Sequence, residues 1–219
     1  MTKYYYLKRL FDIIGCLIIL IVLGIPMLII ALMIMIETGR PIFFIQKRTG
    51  YKGKNFNLYK FRSMSINNDV YDKKEKDKVT KVGKILRRTS LDELGQIINV
   101  LKGEMSFIGP RPWLIEFYSY YNDAQKKRCD VWPGITGLAQ ACGRNNIDVI
   151  KRIEYDLEYV KKYSLIMDIK VIILTITSIF KKSGFDNGKE GAMNDIETLK
   201  MQTKNTISKW FYKIEVRRI

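Results

Sequence analysis

The stretch from residue 10 to residue 36 is almost wholly apolar, with Asp12 as its only charged side chain. A helix needs roughly 20 apolar residues to cross the hydrocarbon of a bilayer, so this stretch reaches membrane depth. It is too long for the apolar part of a cleavable signal, and no small-x-small cleavage site follows it. Lys3, Lys8 and Arg9 precede it; Arg40, Lys47 and Arg48 follow it. Basic flanks stay on the cytoplasmic side of a membrane, which favours that side for both ends. Pro26 stands near the middle, two residues after Gly24. Proline removes one backbone donor and crowds the carbonyl four residues earlier, here that of Val22. A helix broken at this point turns back as a re-entrant hairpin. A kinked helix that spans the bilayer is the other solution, because spanning helices tolerate proline.

The rest of the chain is polar and basic. Its 219 residues include 38 lysines and arginines against 22 acids, a formal net charge of +16. Such an imbalance points to a polyanionic partner: nucleic acid, anionic lipid or a phosphorylated substrate. The length suffices for one domain with a real core and a small appendage. Hydrophobic residues make up 47%, too many for a disordered basic tail. There is no histidine, which excludes Ser-His-Asp triads, Cys-His pairs and histidine-ligated zinc. The expected nucleophile or base is then a carboxylate. Cys16, Cys129 and Cys142 show no CxxC spacing, so no disulfide framework is expected and a reducing cytosol fits.

Short apolar and basic pieces alternate from 40 to 64, with Gly39, Gly50 and Gly53 as turn signals, and predict strands over 42–45 and 56–61. Residues 66–78 predict a polar loop. The spacing predicts helices over 81–88, 90–101, 114–128 and 147–163. Gly109-Pro110-Arg111-Pro112 predicts a rigid loop and Pro133-Gly134-Ile135-Thr136-Gly137 a turn. Residues 165–180 are apolar yet carry Asp168 and Lys170 and are short for a span, so they either lie at the membrane interface or pack in the core. Residues 207–219 are basic and carry Trp210, Phe211 and Tyr212, as a surface-binding helix or a docked tail. The expected fold is mainly α with a few short strands (α+β). It comprises a membrane helix over 1–38, a small cytosolic domain with amphipathic interfacial helices over 39–184, and a basic tail over 185–219.

Four groups of residues can carry chemistry. In Thr89-Ser90-Leu91-Asp92-Glu93-Leu94, Ser90 and Glu93 match a capping box, and acids are favoured in a helix's first turn. The same residues serve chemistry, because a helix end with Arg87 and Arg88 nearby keeps Asp92 ionised. An ionised aspartate is a nucleophile towards phosphorus. Neighbours on a helix splay by about 100°, so Asp92 can face a phosphate while Glu93 holds magnesium, which takes only one or two protein carboxylates. In Gly109-Pro110-Arg111-Pro112, two prolines fix the backbone around a guanidinium suited to forked phosphate contact; an ordinary turn is the plainer alternative. In Lys60-Phe61-Arg62-Ser63-Met64, alternate basic residues on a strand point to one side, either to an anion or to solvent. Arg144, in Gly143-Arg144-Asn145 behind the Pro133 turn, adds another fork or belongs to a connecting turn.

Together and in this order, these stretches resemble the bacterial sugar transferase family, the small monotopic phosphoglycosyl transferases, from about Tyr6 to Gly184. Leu86-Arg87-Arg88-Thr89-Ser90, Asn99-Val100-Leu101-Lys102-Gly103-Glu104-Met105-Ser106, Asp156, Tyr159 and Asp168 extend the match. The resemblance implies a re-entrant N-terminal helix and a catalytic domain on the cytoplasmic face of the inner membrane. It implies that Asp92 attacks the β-phosphate of a UDP-sugar, expels UMP, and passes the phosphosugar to undecaprenyl phosphate. Glu93 would ligate magnesium, and Asp168 would either help hold the metal or hold a basic side chain; Lys60, Arg62, Arg87, Arg88, Arg111 and Arg144 would line the anionic site. The implied partners are a UDP-sugar, undecaprenyl phosphate, membrane lipid and downstream glycosyltransferases, and no nucleic acid. Gly95 stands where the family usually has proline, which should loosen the helix, and Trp132 where a basic residue is common. Lys182-Ser183-Gly184 and Lys189-Glu190-Gly191 resemble members acting on N-acetylated amino sugars. A nucleic-acid-binding protein would explain the charge but neither the apolar run nor the Asp-Glu pair. A non-catalytic membrane assembly protein would lack sugar transfer. A conventional metal-dependent glycosyltransferase would carry an Asp-x-Asp motif, which is absent.

Overall fold

In hydrocarbon an apolar segment must satisfy its own backbone, and the helix does so within one strand of chain. Lys3–Thr38 accordingly forms a single 36-residue helix, α1. The computed structural model describes residues 3–65, 79–143, 147–180 and 195–201. The break expected at Pro26 is not there; the helix runs through it. One proline forfeits one backbone bond, and the intact turns on both sides hold the helix together. The stretch Tyr4–Thr38 is long and apolar enough to cross a membrane, and its apolar side chains point mostly outward: Ile21 is 83% exposed and Leu28 71%.

The chain divides into two compact units, Met1–Lys47 with Phe56–Ser106, and Arg48–Asn55 with Phe107–Ile219. Strands β1 (Phe43–Thr49) and β2 (Asn55–Phe61) pair around a 3₁₀ turn at Tyr51–Gly53, longer than the sequence spacing predicts. In the first unit, helix α2 (Lys81–Thr89) follows, then a 3₁₀ turn Leu91–Gln96 and helix α3 (Ile97–Lys102). Ile30 and Ile34 of α1 pack with Phe61, Val82 and Leu86 to form its core.

Polar groups pin both ends of α1 to this unit. Near its start, Arg9 donates to the carbonyls of Val100 and Leu101 at the end of α3, and Asp12 accepts from Ser106 at 2.9 Å. At its end, Glu37 accepts the backbone N–H groups of Lys81 and Val82, at 2.6 and 3.0 Å. These are donors that the first turn of a helix leaves unmatched. Thr80 caps the same turn by accepting from Gly83 at 2.8 Å. Gly83 lies against the backbone of Ser63, where a Cβ would come within 2.0 Å of the carbonyl oxygen. No side chain fits there.

In the second unit, β3 (Ser106–Ile108) pairs with β4 (Gly134–Thr136), where the sequence predicts only a turn. The single helix expected over 114–128 is instead α4 (Ile115–Tyr118), α5 (Asp123–Lys126) and a 3₁₀ turn Lys127–Cys129. Asn122 is the reason: it accepts from the N–H of Gln125, and the Gln125 side chain accepts from the N–H of Asn122. This reciprocal cap starts a new helix. Helices α6 (Leu138–Cys142), α7 (Val149–Lys161) and α8 (Leu165–Phe180) complete the unit. Helix α8 packs in the core through Met167 and Val171, while Ile166 is 80% exposed. A helical segment, 195–201, buries Ile196 and Leu199 against Trp113, Phe117 and Ile153. The predicted loop over 66–78, Arg144 with Asn145, the stretches 182–184 and 189–191, and the tail 207–219 lie outside the described residues.

Candidate active site

Helix α2 ends because Ser90 adopts a left-handed conformation, φ 58°, and its N–H turns back onto Arg87 and Leu86. The chain then enters the 3₁₀ turn with Asp92 and Glu93 in its opening residues. The capping box read from Ser90 and Glu93 does not form, since the Ser90 side chain makes no cap hydrogen bond. Glu93 finds a charged partner instead. Lys60, on β2, reaches Glu93 Oε1 at 2.8 Å and Asp92 Oδ2 at 3.8 Å.

Gly95 sets this geometry. A Cβ at Gly95 would stand 3.0 Å from the Tyr59 carbonyl oxygen and 3.1 Å from Lys60 Cα. The glycine therefore brings the 3₁₀ turn down onto β2 beside Lys60, and the packing is tight where the missing proline suggests loosening. Asn99, fully buried, fixes the strand: it accepts from the N–H of Tyr59 at 3.0 Å and donates to the Asn57 carbonyl at 2.6 Å and to Glu104 at 2.7 Å.

The ammonium and two carboxylates form a compact charged group, about one fifth exposed or less at each side chain. Burial pushes the Asp92 carboxyl above the usual carboxylate range; Lys60 opposes it, Glu93 adds to it and Arg87 opposes it. Arg87 favours the charged form of Asp92, as the sequence suggests, but burial is the larger effect. Arg87 is exposed and its Nε donates to Ser63 Oγ at 3.0 Å; Arg88 is exposed as well. Arg62 is committed elsewhere. It is 6% exposed and donates to the carbonyls of Thr38 and Gly39 and to the Thr38 hydroxyl, closing the end of α1.

In the second unit, Gly109-Pro110-Arg111-Pro112 follows β3, and the N–H of Gly134 donates to the Pro110 carbonyl at 3.0 Å. The two glycine-proline motifs of the sequence are thus one paired structure. Buried polar side chains of α7 and α8 hold this loop. The Tyr159 hydroxyl donates to Asp168 Oδ1 at 2.5 Å and reaches the Ile108 carbonyl at 3.2 Å. Arg128 donates to Asp156 at 2.6 Å and to the Arg111 carbonyl at 2.8 Å. Its guanidinium lies 4.4 Å from the centre of the Trp113 ring. Nothing in the sequence marks Arg128, because only the fold brings it to the loop. Trp132 is buried, its ring 5.8 Å from that of Tyr51.

Among the described residues, no group of three or more acidic, histidine or cysteine side chains gathers as a metal cage. Asp92 and Glu93 fit a hard cation that takes one or two protein carboxylates and completes its shell with water and phosphate oxygens.

The family model for bacterial sugar transferases matches residues 3–182. The chain is 41% identical over 180 residues to the uncharacterized sugar transferase EpsL of Bacillus subtilis, covering 81% of this chain and 89% of that protein. It is 43% identical over 182 residues to the UDP-glucose:undecaprenyl-phosphate glucose-1-phosphate transferase of Escherichia coli, covering 78% of this chain but only 39% of that protein. It is 33% identical over 196 residues to the exopolysaccharide production protein ExoY of Sinorhizobium fredii, covering 81% and 87%.

Proposed function

We propose a function from one premise: the chain belongs to the bacterial sugar transferase family. It is a phosphoglycosyl transferase that moves a sugar-1-phosphate from a UDP-sugar to undecaprenyl phosphate and so initiates a capsule, exopolysaccharide, lipopolysaccharide or glycoprotein glycan. Relatives named as UDP-glucose and galactose transferases to undecaprenyl phosphate support this reading.

The observation that carries the chemistry is Asp92 half-buried beside Glu93 with Lys60 between them. Asp92 attacks the β-phosphorus of the UDP-sugar. The bond from that phosphorus to the bridging oxygen breaks, UMP leaves, and the phosphosugar remains on the carboxylate. An oxygen of undecaprenyl phosphate then attacks the same phosphorus and frees Asp92. Burial makes Asp92 more basic than an ordinary carboxylate, hence a better nucleophile, while Lys60 opposes that shift and favours the charged form. Arg111, Arg87, Arg88 and Arg144 bind phosphate oxygens in this reading. Magnesium, held by Glu93, would neutralise charge on the diphosphate.

The outward apolar surface of α1 and the pinning of both its ends to the first unit support a site held at the membrane, on the cytoplasmic face of the inner membrane. There the basic excess meets anionic lipid. The test is nucleotide release from detergent-extracted protein given magnesium, undecaprenyl phosphate and a panel of UDP-hexoses and UDP-N-acetylated amino sugars. UMP release that disappears in Asp92→Asn is the expected result and names the sugar. UDP release, or UMP release that survives in Asp92→Asn, overturns the mechanism.

A further inference from the structure

The helical segment 195–201 stands beyond the residues that the family model matches, 3–182, and it touches the arginine loop's support. Ile196 and Leu199 enter the same cluster as Trp113, the residue directly after Gly109-Pro110-Arg111-Pro112. Asp195 accepts from Arg152 of α7 at 2.5 Å, with side chains only 8% and 18% exposed. The Arg152 guanidinium lies 5.6 Å from the centre of the Trp113 ring, and that of Arg128 lies 4.4 Å from it. The Arg152 charge also reaches Asp156, the partner of Arg128.

A buried guanidinium, Arg128, and a partly buried one, Arg152, attract the electron-rich face of one indole but repel each other. The arrangement holds because each has a carboxylate, Asp156 for Arg128 and Asp195 for Arg152. Removing one carboxylate leaves two like charges sharing one partner in a poorly solvated site, which is strongly unfavourable. The nearest release is movement of Trp113, and with it the loop whose Arg111 carbonyl Arg128 holds.

We propose that Asp195 and Arg152 are positioning residues for substrate binding: segment 195–201 clamps Trp113 and so fixes the Arg111 loop. Such a clamp acts on the bound phosphate and leaves the attack by Asp92 alone. It rests on the reading that Arg111 holds a phosphate of the UDP-sugar.

The test compares the full-length protein with Asp195→Asn, which keeps the shape and removes the charge, and with Asp195→Glu. Steady-state kinetics with the best UDP-sugar are measured beside amide hydrogen exchange, read peptide by peptide. In Asp195→Asn, KM for the UDP-sugar is expected to rise about 10-fold with kcat within about 2-fold. Exchange should quicken over 107–115 and stay unchanged over 86–98, and Asp195→Glu should recover most of both effects. Unchanged KM with unchanged exchange over 107–115 overturns the clamp. So does uniformly faster exchange, which would make Asp195 a general stabiliser. Should the wild type release no UMP, the functional reading fails by itself, and exchange over 107–115 still decides whether Asp195 fixes the loop.

Discussion

Asp92 shows how a single residue sets function against stability. Its carboxyl lies above the usual range because burial disfavours its charge, with Glu93 pushing the same way and Lys60 and Arg87 opposing. A carboxyl whose folded pKa exceeds its unfolded one binds a proton more tightly in the folded chain. Its ionisation therefore weakens the fold. The weakening is absent below the ordinary carboxylate range, grows as pH rises through the raised value, and persists at neutral pH. Asp92→Asn mimics the protonated side chain and escapes it. This variant should resist thermal or urea unfolding better than wild type at pH 7, by about 0.5–2 kcal/mol, the usual gain when a strained functional group is relieved. The gain should vanish near pH 3, where both carry a neutral side chain. Equal or lower stability of Asp92→Asn at pH 7 would mean that Lys60 outweighs burial.

Among the elements, the junction of β2 with α3 turns on Asn99. Its fully buried amide serves the N–H of Tyr59, the carbonyl of Asn57 and the carboxylate of Glu104. Asn99→Leu keeps the volume but strands all three, and each unmatched buried polar group costs about 1–3 kcal/mol. A loss of about 2–5 kcal/mol in urea unfolding is expected, and a loss below about 1 kcal/mol would show that water takes over these partners. Nothing in Asn99 itself announces this role, since its partners lie 40 and 42 residues away on β2. What was legible was local: the β2 alternation, the periodicity of α2, the proline-fixed Arg111 loop and the adjoining acids Asp92 and Glu93. What was not legible depended on competition between local and distant partners. Ser90 and Glu93 spell a capping box, but Lys60 offers Glu93 a charged bond, stronger than a neutral backbone one. Arg62 alternates with Lys60 as an anion ligand would, yet the unmatched carbonyls at the end of α1 claim it. The cap at Asn122 was local, but the aromatic periodicity running through it masked it.

At the scale of the whole molecule, α1 presents more apolar surface than a protein in water sustains. Ile18, Ile21, Ile25 and Leu28 are 56%, 83%, 72% and 71% exposed along one uninterrupted helix. Exposed apolar patches of that extent mark a membrane or partner surface, and the family match includes this helix from residue 3 onward. If α1 sits in hydrocarbon, a charge in its middle is expensive, about 2.5–3.5 kcal/mol for lysine at the centre of a membrane helix. Because Ile21 makes little contact with the fold, Ile21→Lys should leave unfolding of the detergent-solubilised protein within about 0.5 kcal/mol of wild type. The same change should lower partition into vesicles by about 100-fold, the binding equivalent of that cost. Ile85→Lys supplies the control, since Ile85 is 56% exposed on α2 outside the apolar run. It should leave partition unchanged. Flotation of the proteins with vesicles of mixed neutral and anionic lipid reads the difference directly. Equal flotation of Ile21→Lys and wild type at high salt would move α1 out of the hydrocarbon, leaving basic attraction to lipid headgroups as the whole of the membrane affinity. Loss confined to Ile21→Lys would make burial of α1 the main source of that affinity, with the net charge of +16 adding only a salt-sensitive part.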